Sequence, residues 1–151
     1  MAALPFTAFN FGVEIVPEGA SAPLVSAAFS ECDGLEMGMD VKTIREGGSN
    51  DRQAHLAGPA TFGQLTLKRG MTQASFELWK WMGDSIADPS LRAQAEVVLY
   101  AADGSTERAR IVLQRCLPVK LKAPALNAKD GAVAVEELQL AYECFTVKPG
   151  R

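Results

Sequence analysis

Histidine occurs once in the 151 residues, as His55, and cysteine three times, as Cys32, Cys116 and Cys144. An odd count without a C-x-x-C pair excludes a dense disulfide framework, and the wide spacings do not fit zinc ligation. Small buried thiols are the simpler reading. With one histidine inside a glycine-rich stretch and no G-x-S-x-G elbow, a nucleophile–base pair has no support. Gly47-Gly48 lacks the Lys-Ser/Thr that a phosphate-binding loop needs. Glu136 and Glu137 are adjacent, so a strand would turn them to opposite faces. The expectation is therefore no catalytic residue, no metal and no cofactor. No apolar run approaches the ~20 residues of a membrane span, and the N-terminus lacks the basic and apolar regions of an export signal. The formal charge of −3 excludes a dedicated nucleic-acid surface. Hydrophobic residues nevertheless make up 48% of the chain, enough for a packed core in one domain spanning 1–151.

What is present reads mainly as strands. Phe9, Phe11, Val13 and Ile15 alternate with polar neighbours, as do residues of the segment Val25 to Cys32. A third strand over 36–44 sets Met37, Met39 and Val41 against Glu36, Asp40 and Lys42, with the methionines as core filler. Residues Arg45 to Pro59 then lose all periodicity and read as a long functional loop. Phe62 to Lys68 resumes as a strand. From Ser75 the period becomes helical, with Trp79, Met82 and Ile86 as the core stripe, Trp81 as the exposed tryptophan, and Asp88-Pro89 as the stop. Gln94–Tyr100 and Glu107–Gln114 form a hairpin about Asp103-Gly104, pairing Ala95, Val97 and Leu99 with Ala109, Ile111 and Leu113. A short strand near Val119–Lys122 and a long one over 133–145 follow, the latter with a bulge at Glu136-Glu137 to reset its inward phase. The expected fold is mainly β: a small barrel or two-sheet sandwich of about eight strands with one flanking helix and a long loop.

Strands with open edges are templates for another chain, and Gln94–Tyr100 carries only Glu96 to block such pairing. Copies that pair edge to edge close into rings, and head-to-tail contacts build filaments. Strand alternation then nominates a bore lined by Ser26, Ser30, Glu36, Asp40, Lys42, Gln94, Glu96, Arg108 and Arg110.

Several segments together resemble the tail-tube family of contractile phages and extracellular contractile injection systems. They are FNFGVEI (9–15), FSECDGLEMGMDV (29–41), REGGSN (45–50), LAGPATFGQLTLKRGMT (56–72), LWKW (78–81) and LPVKLKAPALNAKDGAVAVEELQLAYE (117–143). The resemblance implies six-membered rings stacked into a rigid hollow tube inside a contractile sheath. It implies that Arg45, Glu46, Gly47, Gly48 and Asn50 reach a neighbouring ring, with Lys68 and Arg69 beside that contact. It also implies a sheath protein, baseplate and tube-cap proteins as partners, and effector cargo or DNA in the bore without sequence specificity. No membrane insertion of the subunit follows; it would assemble in the bacterial cytoplasm and end in a virion tail or injection particle. The related tube protein of type VI secretion is a second reading of the same class. A monomeric β-barrel holding a small ligand is the alternative of a different class.

Overall fold

The computed structural model describes residues 10–27, 29–45, 47–48, 52–71, 75–124, 126, 128 and 134–150, with backbone alone at 25–27. These form ten strands and one helix: β1 (Phe11–Pro17), β2 (Val25–Ala27), β3 (Glu31–Asp33), β4 (Met37–Ile44), β5 (Ala54–Phe62), β6 (Leu65–Gly70), α1 (Ser75–Ala87), β7 (Ala93–Tyr100), β8 (Glu107–Lys122), β9 (Val135–Ala141) and β10 (Cys144–Pro149). One sheet runs β2-β1-β7-β8-β9-β6-β3, with β10 also on β8; among the described residues β4 and β5 pair only with each other. The expected fold class holds.

The long strand β8 joins two layers. Its first half pairs β7 on one side and β10 on the other, and its second half pairs β9. At the joint Arg115 has φ of 52°, outside the extended region. Leu113 faces the core before it and Cys116 after it, so the inward phase flips from odd to even. An irregularity between Pro118 and Lys120 flips it back, and Leu121 packs against the core. The sequence pattern therefore shows two short strands where the chain makes one. Val13, Ile15, Ala95, Val97 and Leu113 from one layer meet Leu65, Leu67, Leu138 and Leu140 from the other, closed by Leu78 and Trp81 of α1. Fully burying each valine, leucine or isoleucine among these contributes about 1.5–3 kcal/mol.

Four expectations need correction. The segment Val25 to Cys32 is two strands: β2 pairs β1, β3 pairs β6, and Phe29 is buried where the chain crosses between them. The helix turns Ser75, Leu78 and Trp81 inward, so Trp81 is the core tryptophan, and Ile86 is exposed. Gln94–Tyr100 is no edge: β1 and β8 flank it. Finally, β9 pairs β6 in unbroken register from Leu65↔Leu140 to Gly70↔Val135, with no bulge at Glu136-Glu137. Glu136, Leu138 and Leu140 share the inward face, and Val135 points out. A buried carboxylate in an apolar position imitates a phase shift.

Glu136 is held there by ionic contacts. Its Oε1 accepts hydrogen bonds from Arg69 Nε at 2.8 Å and from Ser75 Oγ at 2.6 Å. The Arg69 guanidinium also lies 5.2 Å from the Phe29 ring centre. Strands β6 and β9 and the start of α1 are thus fastened at one buried point.

Candidate functional site

The segment expected as a loop over 45–59 is largely a strand. β5 pairs β4 from Met37↔Phe62 to Ile44↔Ala54, with a turn at Gly47-Gly48 between the two arms. The register slips between Met39 and Val41, opposite Gly58-Pro59. At that slip a side chain on Gly58 would stand 2.8 Å from the Asp40 carbonyl. Glycine and proline in the second arm erased the alternation that marks a strand.

The hairpin is anchored at its root. Phe62, Tyr142 and Phe145 pack edge to face with centroids 5.5–6.0 Å apart. Tyr142 Oη donates towards the carbonyl of Gly34 at 3.2 Å. Burial pushes the Tyr142 phenol above its usual pKa. The turn at Gly34 has φ of +101°, and a Cβ there would meet the Gln64 carbonyl oxygen at 2.0 Å. Only glycine fits so close an approach.

Beyond that root every residue of β4 is exposed. Met37, Met39 and Val41 occupy one face with 57–60% of their surface open, so they are not core filler in a single chain. Alternating apolar and polar residues normally mark a half-buried strand. Here nothing described in the same chain buries the apolar half.

The expected contact residues fall in different places. Arg45 is exposed at the end of β4, and Gly47 and Gly48 form the turn, Gly48 with φ of +91°. Glu46 and Asn50 lie outside the described residues. Lys68 is partly exposed on β6, 3.5 Å from Glu31 of β3. Arg69 is a correction: it is 6% exposed and bound to Glu136, so it is unavailable to a neighbouring molecule.

The bore candidates also divide. Gln94, Glu96, Arg108 and Arg110 lie on β7 and β8, on the face away from the core, and Ser26 sits in the same register row as Glu14 and Glu96. Arg110 bridges Glu96 and Glu107, and the Glu107 contact chiefly holds the guanidinium pKa above its usual value. Ser30 lies apart, beside β6, its hydroxyl donating to the Lys68 carbonyl at 3.0 Å. Glu36 stands at the hairpin root, and Asp40 and Lys42 are on the hairpin itself, so the nine do not share one face in a single copy.

Burial raises the thiol pKa of Cys32 to about 11 and of Cys116 to about 12, and all three cysteines are free. Among the described residues no group of three His, Cys, Asp or Glu could hold a metal ion, and no helix is long and apolar enough to cross a membrane.

An arm held away from its own body, on a β-sandwich with open edges, is the geometry of a subunit that polymerises. The chain matches the T4-like virus tail tube protein gp19 family over residues 7–146. It belongs to that family. This tail tube protein is accordingly a structural subunit of a hollow inner tube, part of a phage tail or an extracellular contractile injection particle. Among solved structures it is similar to a chain of the anti-feeding prophage baseplate, 6-fold symmetrised, at 26% identity and a TM-score of 0.85, covering 98% of each chain. It is similar to a chain of the sheath-tube complex of PVC, an extracellular contractile injection system, in its extended state, at 19% identity and a TM-score of 0.81, covering 96% of this chain and 92% of that one. Hcp1 from Flavobacterium johnsoniae shares the fold at 14% identity and a TM-score of 0.52, covering 92% and 96%. A comparison with curated proteins gives no match.

Proposed function

We propose that six copies of this tail tube protein close into a ring and that rings stack into a rigid tube driven by a contracting sheath through a target envelope. The observation that carries this reading is the β4–β5 hairpin, whose apolar face no other described residue of its chain covers. The sides of β2 and β10 that no described strand pairs offer backbone groups for lateral closure. Arg45, Glu46, Gly47, Gly48 and Asn50 at the hairpin tip reach the next ring, where glycine permits close backbone approach and Arg45 can grip a carboxylate in two-pronged fashion. Lys68, at the surface beside β3, borders that contact. The bore is lined by the row containing Ser26, Gln94, Glu96, Arg108 and Arg110, whose mixed charges let effector cargo or DNA slide without adhering. The solved relatives come from assemblies with sheath, baseplate and cap, which supports proteins of those kinds as partners here. Assembly would take place in the bacterial cytoplasm, and the subunit would perform no catalysis.

The monomeric ligand-binding alternative finds no support. The space between the layers is filled by side chains such as Ile15, Leu65, Leu113 and Leu140. A groove of about 330 Å³ lined by Glu14, Val16, Gln94 and Glu96 lies on the outer side of β1 and β7. Electron microscopy of the purified protein tests the reading: rings and hollow tubes are expected. A chain that stays monomeric at high concentration would overturn it.

A further inference from the structure

Helix α1 has a second apolar stripe that the described residues of its own chain leave largely exposed. Phe76 is 66% exposed and Ile86 70%, and Trp79 lies partly exposed between them. At 100° per residue, Phe76, Trp79, Gly83 and Ile86 fall within a sector of about 80°. A side chain added at Gly83 would meet no atom within 4 Å, so the stripe's middle is an open notch.

We propose that this stripe is the seat for the Met37–Met39–Val41 face of the β4–β5 hairpin of a second copy. The proposal rests on the tube reading above and names the surface that receives the arm. Lengths agree: the ten helical steps from Phe76 to Ile86 span about 15 Å, and Met37 to Val41 spans about 13 Å along a strand. Side chains agree as well. Two unbranched thioethers are adaptable partners for an aromatic ring, and the notch at Gly83 lets a strand approach the helix closely.

Charge supports the same pairing. The flank of the stripe bears Glu77, Asp84 and, just past the helix, Asp88, against Lys80 and the neighbouring Arg92. The last turn of α1 has no basic residue to offset its own negative dipole end. Beyond Asp40 the hairpin segment carries Lys42, Arg45 and Arg52 against Glu46 and Asp51, one net positive charge. The hairpin and the helix belong to one chain, so each copy offers one arm and one seat. Such a heterologous contact does not close on a pair; it propagates through rings and stacks.

The test combines assembly with cross-linking. The doubly substituted Phe76→Ser, Ile86→Ser chain should stay folded, with its melting temperature within about 2 °C of the parent because both sites are exposed. It should need at least about tenfold more protein to form tubes, the effect of losing two desolvated contacts. Independently, benzoylphenylalanine placed at position 39 in the otherwise unchanged chain should cross-link, on illumination of tubes, to the peptide carrying residues 75–88 of another copy. Unimpaired tube formation by the double variant, or cross-links that map elsewhere, would overturn the proposal and leave the tube reading standing. Loss of sheath binding with tubes intact would also overturn it, since the stripe would then serve a different protein. If the unchanged chain forms no tubes at all, the tube reading falls first and this proposal with it.

Discussion

Glu136 shows what one buried carboxylate does to both the fold and its legibility. In the sequence it sits where an apolar residue belongs, so the pattern over 133–145 suggests a bulge. In the structure it is 1% exposed and holds Arg69 and Ser75. Removing one partner of a buried pair leaves the other charge uncompensated, at a cost of about 3–5 kcal/mol. Glu136→Ala should therefore lower the unfolding free energy by that amount in urea titrations. The paired replacement Arg69→Met, Glu136→Leu should cost less than the single change, because no orphan charge remains. Equal losses from both would contradict the assigned role. Asp103 gives a pH-dependent case. Its carboxylate accepts hydrogen bonds from Thr106 Oγ1 at 2.6 Å and from the Ser105 and Thr106 amides at 2.9 Å, which hold its pKa down to about 2 from 3.8. A depressed carboxyl pKa stabilises the fold above the unfolded value and loses that effect as pH falls through the folded one. The urea midpoint of the parent should exceed that of Asp103→Asn at neutral pH, and the gap should shrink between pH 4 and pH 2. A gap independent of pH over that interval would exclude this linkage.

At the level of elements, legibility followed local consistency. The β7–β8 hairpin was readable because Asp103-Gly104 marks its turn and both arms alternate cleanly; the pairs Ala95↔Leu113, Val97↔Ile111 and Leu99↔Ala109 stand as the pattern requires. The β4–β5 hairpin was half readable, since Gly58 and Pro59 interrupt its second arm, and the burial of its methionines depends on another molecule. The helix was located correctly and its faces were not, because apolar residues nearly surround it: Leu78 and Trp81 face in, Phe76 and Ile86 out. The hairpin root is testable through Tyr142→Phe. The change keeps the aromatic cluster and removes the hydroxyl contacts to Gly34 and Glu36, at a cost of about 0.5–1.5 kcal/mol in global stability. Faster amide exchange at Gly63, which bonds to the Glu36 carbonyl at 3.1 Å, would report the loosened arm. Deleting residues 46–50 should leave the melting temperature nearly unchanged, because none of the described core residues comes from that segment, and should stop the stacking of rings. Arg45→Glu should weaken stacking more at low salt than at high salt, since exposed charges are screened. Long tubes from the deletion variant would exclude the tip as the inter-ring contact.

For the whole molecule, the decisive property is incompleteness, and a single sequence encodes it only indirectly. Exposed apolar residues on β4, on α1 and at Val147 of β10 look like core positions in the sequence and become surface in one copy. The paucity of charge on Gln94–Tyr100 suggests an open edge, but charge alone marks an edge strand weakly; pairing among the described residues places the free edges at β2, β3 and β10 instead. β10 is the most informative of these. It pairs β8 from Cys144↔Gln114 to Pro149↔Ala109, and no described strand pairs its other side. Val147 on it is 62% exposed, so Val147→Lys should change the stability of the isolated chain by less than about 0.5 kcal/mol. A lysine on an edge strand opposes pairing with another edge, because joining would bury its charge. If β10 forms the lateral seam of the ring, the variant should sediment as a folded monomer at concentrations where the parent forms rings, and raised salt should not restore assembly, since the barrier is desolvation and not long-range repulsion. Rings of normal size from Val147→Lys would move the seam to the edge formed by β3. Arg45→Glu should behave in the opposite way, with intact rings and impaired stacks, so sedimentation of the two variants separates lateral closure from axial growth.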